Sequence, residues 1–383
     1  MRPIAVGLCV AVLLLLHVVL AVRLVDTSPG GAEPYWQLAE ARGTPGADYT
    51  VAYPVMTVEA LRIQHAIASD RDQFGSILVV SNMIFDLLIV VLILRNWGAA
   101  PAIVYLVGVA LLGKLVFDKT DLLATLVTTW AVVSAMRARS RRSAAAVALA
   151  GSLKLWPFAL APLLLPLERE RMRRYVASLL VTTAIVIVIS LVVLGREGSM
   201  QSITFGNARG WEIESLPANI LRLFTSDSAR REAGAWRVGD GSPLVEAVLT
   251  IAQVVIVLGA AWFGRRSQRY AAGWIASVTA LLMFSTLLSP QFVVWLLPAA
   301  ALAWASNERI LAGSVLMVAA LTRLEFGGVL GIGGFGDLIA GHDAAVAQLS
   351  ARNVALVGTL VLAVHRLLRE PARHSSRGVA PAR

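Results

Sequence analysis

The sequence predicts an all-α, polytopic integral membrane protein of ten to twelve transmembrane helices. Hydrophobic residues make up 57% of the 383 positions, charged residues make up only 15%, and the mean hydropathy is +0.71. A soluble domain carries more charge than this on its surface. Backbone amides in hydrocarbon have no water partner, so a spanning segment must be a helix or part of a closed barrel. The long apolar runs lack the alternation of barrel strands, which favours helices.

Ten apolar segments have about the 20 residues that one crossing needs. The predicted helices cover 4–23, 76–94, 100–117, 121–136, 175–194, 244–263, 271–289, 291–306, 309–323 and 348–367. Arginine clusters fall on alternate connections, which the positive-inside rule places in the cytoplasm together with both termini. The long connections 24–75, 195–243 and 324–347 then share the outer face of the cell membrane, where we expect short interfacial helices.

The segment 143–167 is apolar but has basic clusters at both ends, so a single crossing would place one cluster outside. Two crossings would leave each about 12 residues, or roughly 18 Å at 1.5 Å per residue, which is short of the hydrocarbon core. A short re-entrant hairpin, broken near 151–157, and two tilted helices in a thin bilayer both fit. We predict one transmembrane domain over 1–370 and a basic cytoplasmic tail over 371–383.

Composition also excludes several classes of function. The formal net charge is +10, but the basic residues adjoin apolar segments instead of forming a basic domain, so we expect no nucleic-acid partner. The one cysteine, Cys9, lies in the first apolar run, and the five histidines show no metal-ligand spacing. No nucleotide P-loop occurs. The sequence therefore supports neither a metal nor a nucleotide cofactor.

The first outer segment interleaves acids with aromatic residues. Asp26, Glu33 and Asp48 alternate with tyrosines that include Tyr35 and Tyr53. A carboxylate can accept the proton of an acceptor hydroxyl, and aromatic rings stack on the apolar face of a sugar. A solvated loop with interfacial aromatics is the alternative.

Further polar residues fall in the other outer segments. Arg209 and Arg222 can clamp a phosphate with their planar donors, or can pair with Glu212 and Glu214 at an interfacial helix. Four other candidates for the same cleft lie at outer turns, namely Asp118, Lys119, Asp121 and Gln291.

Two ionisable residues, Asp86 and Lys154, lie within apolar stretches. Charge inside a membrane is costly, so each is a functional candidate. For Asp86, a structural pairing within the bundle is the alternative.

Five short motifs follow one another through most of the chain: Asp48–Pro54, Thr120–Leu123, Lys154–Pro157, Arg209–Leu216 and Ser289–Phe292. As a set they resemble glycosyltransferase family 87 of the GT-C superfamily of polytopic enzymes. The resemblance implies a GT-C-like fold. It also implies an enzyme that moves a sugar, typically mannose, from a polyprenyl-phosphate carrier in the membrane lipid to a glycan or glycolipid acceptor on the outer face.

On this resemblance an outer carboxylate deprotonates the acceptor, and cationic groups stabilise the departing lipid phosphate. Glu33 or Asp26 is the expected base, with Asp48 third. The expected phosphate ligands are Arg209, Lys154, Arg222 and Lys119. The expected substrate-lining residues are Tyr35, Tyr53, Asp121, Glu212, Glu214 and Gln291. The lipid-linked sugar is a substrate, and no cofactor is implied.

The chain departs from the family pattern in its first loop. Ala52–Val55 replaces a Glu-Tyr-Pro-Pro stretch, and Gly31 stands about where the acid before Tyr35 is expected. Two alternatives therefore stay open. One is an inactive relative that binds lipid-linked sugar, and the other is a lipid or sugar transporter with charges along a path through the bundle.

Overall fold

A computed structural model describes residues 3–26, 32–204, 210–225, 227–232, 235–327 and 334–369. The described helices are α1 Pro3–Asp26, α2 Glu33–Glu40, α3 Val55–Ile67, α4 Arg71–Trp97, α5 Ala99–Leu112, α6 Lys114–Phe117, α7 Asp121–Met136, α8 Ser140–Leu153, α9 Ala161–Leu164, α10 Arg169–Thr204, α11 Leu216–Phe224, α12 Pro243–Ser267, α13 Tyr270–Met283, α14 Leu297–Ala305, α15 Arg309–Gly327, α16 Phe335–Ala340 and α17 Asp343–Leu368. Two 3-10 turns cover Trp156–Leu160 and Pro290–Leu296. The predicted helical fold is confirmed.

Four of the described helices, α4, α10, α12 and α17, are long and apolar enough to cross a membrane. Several shorter apolar helices, among them α5, α7 and α13, accompany them. The apolar window of α10 contains no buried residue, whereas α13 and α14 are almost entirely buried. In a membrane this pattern places α10 against lipid and α13 and α14 in the centre of the bundle. The total number of crossings stays a prediction.

Several predicted boundaries differ from the structure, each with a local cause. The segment 100–117 divides at Gly113, whose φ of 61° suits glycine and whose added Cβ would lie 2.9 Å from the Arg323 guanidinium. The segment 175–194 ends where expected, but at Gly195 (φ 66°) the chain turns and a helix continues to Thr204. The segment 271–289 loses its last turn, since α13 stops at Met283.

The chain between α7 and α10 doubles back on itself. The α8 helix packs between α7 and α10, and it ends at Lys154, whose backbone is extended. The following 3-10 turn folds against α8 so closely that a Cβ on Gly151 would lie 2.2 Å from the Phe158 ring. Whether this segment is re-entrant in the membrane stays a prediction.

The described residues of the connections that were predicted to be outer form two small subassemblies. In the first, α2 and α3 pack on the start of α4 through a buried cluster that includes Tyr35, Val58 and Phe74. In the second, the structure adds a feature that the sequence analysis did not predict, an antiparallel sheet of β1 Trp211–Glu212, β2 Arg230–Glu232 and β3 Ala235–Val238 in the order β1-β3-β2. Ile213, Val238 and Leu338 join this sheet to α16 and α17 in one apolar cluster.

Candidate functional site

A buried ion pair joins the start of α7 to the end of α8. Because these helices are antiparallel neighbours, Asp121 and Lys154 lie at the same end of the bundle, with Lys154 Nζ 3.6 Å from Asp121 Oδ1. The indole nitrogen of Trp295 donates to the same oxygen across 2.9 Å. The other oxygen, Asp121 Oδ2, is buried and accepts no hydrogen bond from the described residues. Asp121 therefore holds Lys154 in place and still has an unused acceptor.

Aromatic rings surround this ion pair. Lys154 Nζ lies 4.5 Å from the centre of the Tyr53 ring, and Tyr53 packs against Tyr35 with 5.8 Å between ring centres. Trp295 is stacked between Trp156, at 5.0 Å, and Phe292, at 4.3 Å. Burial is the main cause that raises the pKa of Tyr35 well above its usual value, and the nearby Asp121 and Asp118 raise it further. Its hydroxyl therefore stays protonated at neutral pH.

The turn before α7 adds a second carboxylate. Asn82 donates to the carbonyl oxygens of Phe117, at 2.9 Å, and Lys119, at 2.7 Å, which fixes this turn against α4. Lys119 Nζ lies 3.9 Å from Asp118 Oδ1, and this oxygen accepts no hydrogen bond from the described residues. Burial raises the pKa of Asp118, although Lys119 and Lys114 oppose the shift. We call Tyr35, Tyr53, Asp118, Lys119, Asp121, Lys154 and Trp295 the lysine cluster.

A narrow apolar crevice runs beside the lysine cluster, between α3, α4 and α7. Its apolar lining comes from Leu61, Leu78, Phe85, Leu123 and Leu153. The crevice contains about 30 Å³ of interior space. Thr57 ties α3 to this region, because its hydroxyl donates to the Leu153 carbonyl across 2.6 Å. The crevice thus places an apolar surface next to the buried charges.

A second buried group of charges lies under the small sheet, and we call it the glutamate cluster: Glu212, Glu214, Arg237, Glu325 and Arg352. Glu212 lies opposite Arg237 in the β1–β3 register and accepts a hydrogen bond from the Ser289 hydroxyl at 2.9 Å. Arg352 Nη1 is 3.4 Å from Glu325 Oε2, and Arg352 also donates to the Glu214 carbonyl. All five side chains are buried.

The glutamate cluster is only partly satisfied. Within the described residues, polar atoms of all five side chains lack a hydrogen-bond partner, among them Glu214 Oε1, Glu212 Oε2 and Arg237 Nη2. Burial raises the pKa of Glu214 well above its usual value, and Glu212 and Glu325 raise it further. The positive charge of Lys119, in the lysine cluster, opposes this rise in the pKa of Glu214. Donors and acceptors without partners among the described residues therefore remain for a polar ligand.

The structure divides the predicted substrate-lining residues between the two clusters. Tyr35, Tyr53 and Asp121 lie in the lysine cluster together with two of the predicted phosphate ligands, Lys119 and Lys154. Glu212 and Glu214 lie in the glutamate cluster. Gln291 is half-buried in the 3-10 turn that carries Trp295.

The predicted catalytic acids make their described contacts elsewhere. Glu33 is half-exposed and pairs with Arg71 at 2.7 Å, which lowers the pKa of Glu33. The exposed Asp48 accepts the backbone N–H of Thr44. Arg222, predicted to bind phosphate, donates to the carbonyl oxygens of Leu338 and Ile339 at the end of α16. The side chain of Asp26 and all of Arg209 lie outside the described part of the chain.

Trp295, Arg237, Glu325 and Arg352 are site residues that the sequence reasoning did not select. They become visible only when distant segments pack together, because Trp295 and Asp121, for example, are 174 positions apart.

The intramembrane acid Asp86 has a different environment. His17 Nδ1 lies 2.7 Å from Asp86 Oδ2, and the Tyr105 hydroxyl donates to Asp86 Oδ1 at 2.8 Å. The second nitrogen of His17 lies 3.0 Å from the Leu106 carbonyl oxygen. All of these side chains are buried. Of the two alternatives considered for Asp86, the geometry favours structural pairing.

The profile of glycosyltransferase family 87 matches residues 72–290, which is more than half of the chain and includes the lysine cluster from Asp118 to Lys154. No curated protein matches the chain significantly.

Proposed function

The chain belongs to glycosyltransferase family 87, and from this membership we propose that it moves a sugar, with mannose the first candidate, from a polyprenyl-phosphate carrier to a hydroxyl of a glycan or glycolipid. As a member of this family with long apolar helices it is a membrane glycosyltransferase. The observation that carries the finer proposal is the lysine cluster, where a buried ammonium lies beside an unsatisfied carboxylate and an apolar crevice. We propose that this cluster faces the outer side of the membrane.

Lys154 is the proposed ligand of the donor phosphate. Its side chain is only 11% exposed, and its recorded partners are Asp121 and the Tyr53 ring. A preorganised cation in such a site stabilises charge that develops on the departing phosphate more strongly than it would in water. Asp121, held by Trp295, acts as a positioning residue for Lys154.

Asp118 is the proposed general base. Its Oδ1 accepts no hydrogen bond from the described residues, and burial raises its pKa, which makes the carboxylate a stronger base. In the transfer, the acceptor oxygen forms a bond to the anomeric carbon as the bond from that carbon to the phosphate oxygen breaks. The electron pair leaves with the phosphate, and the acceptor proton moves to Asp118. Attack opposite the leaving group inverts the anomeric configuration.

The apolar crevice supports a prenyl carrier over a soluble nucleotide sugar. The interior of the crevice has about the volume of a single water molecule, which is too small to enclose a prenyl chain. The prenyl chain would therefore lie along the mouth of the crevice. Exposed Ile63 and Ile67 continue the apolar surface on α3. A carrier bound there would bring its phosphate to the adjacent Lys154.

We assign the acceptor to the glutamate cluster. Three carboxylates and two guanidinium groups offer both acceptors and donors, as a hydroxyl-rich ligand requires. With all five groups ionised this cluster carries one net negative charge, so it favours a neutral sugar over a second phosphate. The raised pKa of Glu214 lets this residue serve as a donor as well.

The experiment that tests this proposal measures transfer of radiolabelled mannose from polyprenyl-phosphate mannose in membranes that contain the full-length protein. Asp118→Asn and Lys154→Met are the test variants. Three further variants, Glu33→Gln, Asp26→Asn and Asp48→Asn, test the alternative from the sequence analysis, in which the base lies in the first loop. We expect transfer to be lost in both test variants, with donor binding retained in Asp118→Asn and weakened in Lys154→Met.

Loss of transfer in one first-loop variant, with full transfer in Asp118→Asn, would return the base to the first loop. No transfer by the wild type, with a panel of sugars and native lipid acceptors and with donor binding intact, would favour the inactive relative. Gly31 and Ala52 are the sequence features that favour this second candidate.

A further inference from the structure

A second cavity opens at the other end of the bundle, where three helices end together. It lies between the α12–α13 turn, the α14–α15 turn and the end of α17, and it has a volume of about 600 Å³. Apart from Ala271, the residues that line it are polar or charged: Gln268, Arg269, Ser306, Asn307, Glu308, Arg366 and Arg369. Ligand sites in proteins have volumes of roughly 300–1,000 Å³. The cavity is therefore large enough for a small polar group.

This cavity is separate from the lysine and glutamate clusters. The α13 helix begins beside it at Tyr270 and ends at Met283, shortly before Ser289, which bonds Glu212. The 14 residues of α13 correspond to a rise of about 20 Å. A ligand in this cavity therefore cannot be the sugar donor or acceptor proposed above.

Local backbone conformation shapes the cavity. Gln268 and Asn307 have φ of 58° and 62°, the left-handed conformation that ends a helix. These two residues terminate α12 and α14 and turn the chain back at the same level. Arg269 then donates a hydrogen bond to the carbonyl of Arg366, which fixes the end of α17 against the α12–α13 turn. Arg269 therefore serves a structural purpose as a cap of α17.

Arg366 and Arg369 do not cap a helix with their side chains. Within the described residues, neither guanidinium group makes a hydrogen bond or a close ion pair, and both line the cavity. Glu308 is the one carboxylate in the lining, and its Oε2 is buried without a hydrogen-bond partner. Burial raises the pKa of Glu308, and the nearby charges of Arg269 and Arg366 oppose the shift. Three arginines against one carboxylate give the cavity a positive charge, which suits an anion.

The surroundings of the cavity favour a lipid as the source of the anion. Trp262 and Phe263 near the end of α12, and Leu368 at the end of α17, are exposed apolar side chains at the same end of the bundle. Arg266 stacks on Trp262, 3.7 Å from the ring centre. Basic pockets between transmembrane helices at the cytoplasmic face are suited to anionic lipid headgroups. We propose that this cavity binds the phosphate headgroup of an anionic phospholipid whose acyl chains lie against α12 and α17.

The test titrates the purified full-length protein with phosphatidylglycerol and counts bound lipid by native mass spectrometry. The test variant is Arg366→Gln/Arg369→Gln. The matched control, Arg137→Gln/Arg139→Gln, removes the same charge from the α7–α8 connection outside the cavity. At about 1 kcal/mol per arginine near a lipid surface, we expect the test variant to bind phosphatidylglycerol about 10- to 30-fold more weakly and the control to match the wild type.

Two further arms distinguish the possible sources of the anion. Phosphatidylcholine should be retained far less than phosphatidylglycerol, and inorganic phosphate should bind more weakly than either the lipid or its soluble headgroup glycerophosphoglycerol. Equal loss of lipid in the test and control variants would overturn the site, because it would show general attraction to a basic surface. Phosphate binding that depends on Arg366 and Arg369, without retained lipid, would overturn the lipid assignment. Arg366→Lys/Arg369→Lys, which keeps the charge, covers the case in which the glutamine variant does not fold.

Discussion

Asp86 and Asp121 are both buried carboxylates, yet their surroundings differ. Both oxygens of Asp86 have close partners in His17 and Tyr105, and the group is closed to any ligand. One oxygen of Asp121 contacts Trp295 and Lys154, while the other has no partner in the described residues. A buried polar atom without a partner costs free energy, so it persists best where a ligand satisfies it. The comparison indicates that a structural acid differs from a functional one in whether both carboxylate oxygens have hydrogen-bond partners, and not in whether the carboxylate is buried.

Replacement of Asp118, the proposed base, should have the largest effect on activity. Asp118→Asn should lower the rate of sugar transfer about 10²- to 10⁴-fold, the usual contribution of general base catalysis. The measurement is the initial rate at saturating donor, because the substitution is expected to affect kcat more than KM. A conservative Asp118→Glu variant should recover part of the rate. A normal rate in Asp118→Asn would break the assignment.

The second effect should come from Lys154. Lys154→Met should reduce kcat/KM about 10²- to 10³-fold, comparable to the loss of one preorganised donor to a developing negative charge. Lys154→Arg, which retains the charge but has a different shape, should recover only part of the activity. Activity that is unchanged in Lys154→Met would exclude this residue as a phosphate ligand.

Asp86 should show the opposite behaviour. Asp86→Ala leaves His17 and Tyr105 without their partner and should destabilise the protein by about 3–5 kcal/mol, as for other broken buried pairs. Transfer activity per folded molecule should stay close to that of the wild type. Thermal unfolding in detergent, combined with active-site titration, separates the two quantities. A stable but inactive variant would instead support transport or catalysis through Asp86.

A smaller effect concerns pH and Glu214. Burial raises the pKa of Glu214 in the folded protein. The contribution of Glu214 to the free energy of unfolding is therefore complete at a pH below the pKa of the unfolded chain, near 4.5, and is lost as the pH rises through the pKa of the folded protein. The Tm of the wild type should therefore fall with rising pH in this window, and Glu214→Gln should flatten that dependence. Glu33 has a lowered pKa, so any contribution it makes is lost as pH falls. Glu33→Gln is thus the control with the opposite sign.

The sequence was sufficient to predict the class of this protein. Composition and arginine placement predicted a helical membrane protein, and short motifs predicted family 87 membership, which the profile match confirms. Tyr35, Tyr53, Asp121 and Lys154 were all selected as candidates, but their mutual contacts were not predicted. Lys154 was placed within an apolar stretch and Asp121 at an outer turn, and only the antiparallel packing of α7 and α8 brings their side chains together.

The acids of the first loop and the arginines of the second show why the rest was harder to predict. Glu33 and Arg222 have the right chemistry, but they contact residues 38 and 116 positions away, Arg71 and Leu338 at the end of α16, and periodicity does not reveal such contacts. Arg237 and Arg352 reach the glutamate cluster from a short strand and from α17. Such residues gain their role from tertiary packing over long sequence separations, for which a single sequence gives no signal.

The most direct test of the lysine cluster compares donor binding in Lys154→Met and Arg222→Met. Both residues were phosphate-binding candidates from sequence, but of the two only Lys154 lies beside an unsatisfied carboxylate, that of Asp121. The purified full-length variants are titrated with radiolabelled polyprenyl-phosphate mannose. We predict that binding is weakened in Lys154→Met and kept in folded Arg222→Met. The reverse result, with binding kept in Lys154→Met and lost in Arg222→Met, would contradict it and move the donor site to the α11–α16 region.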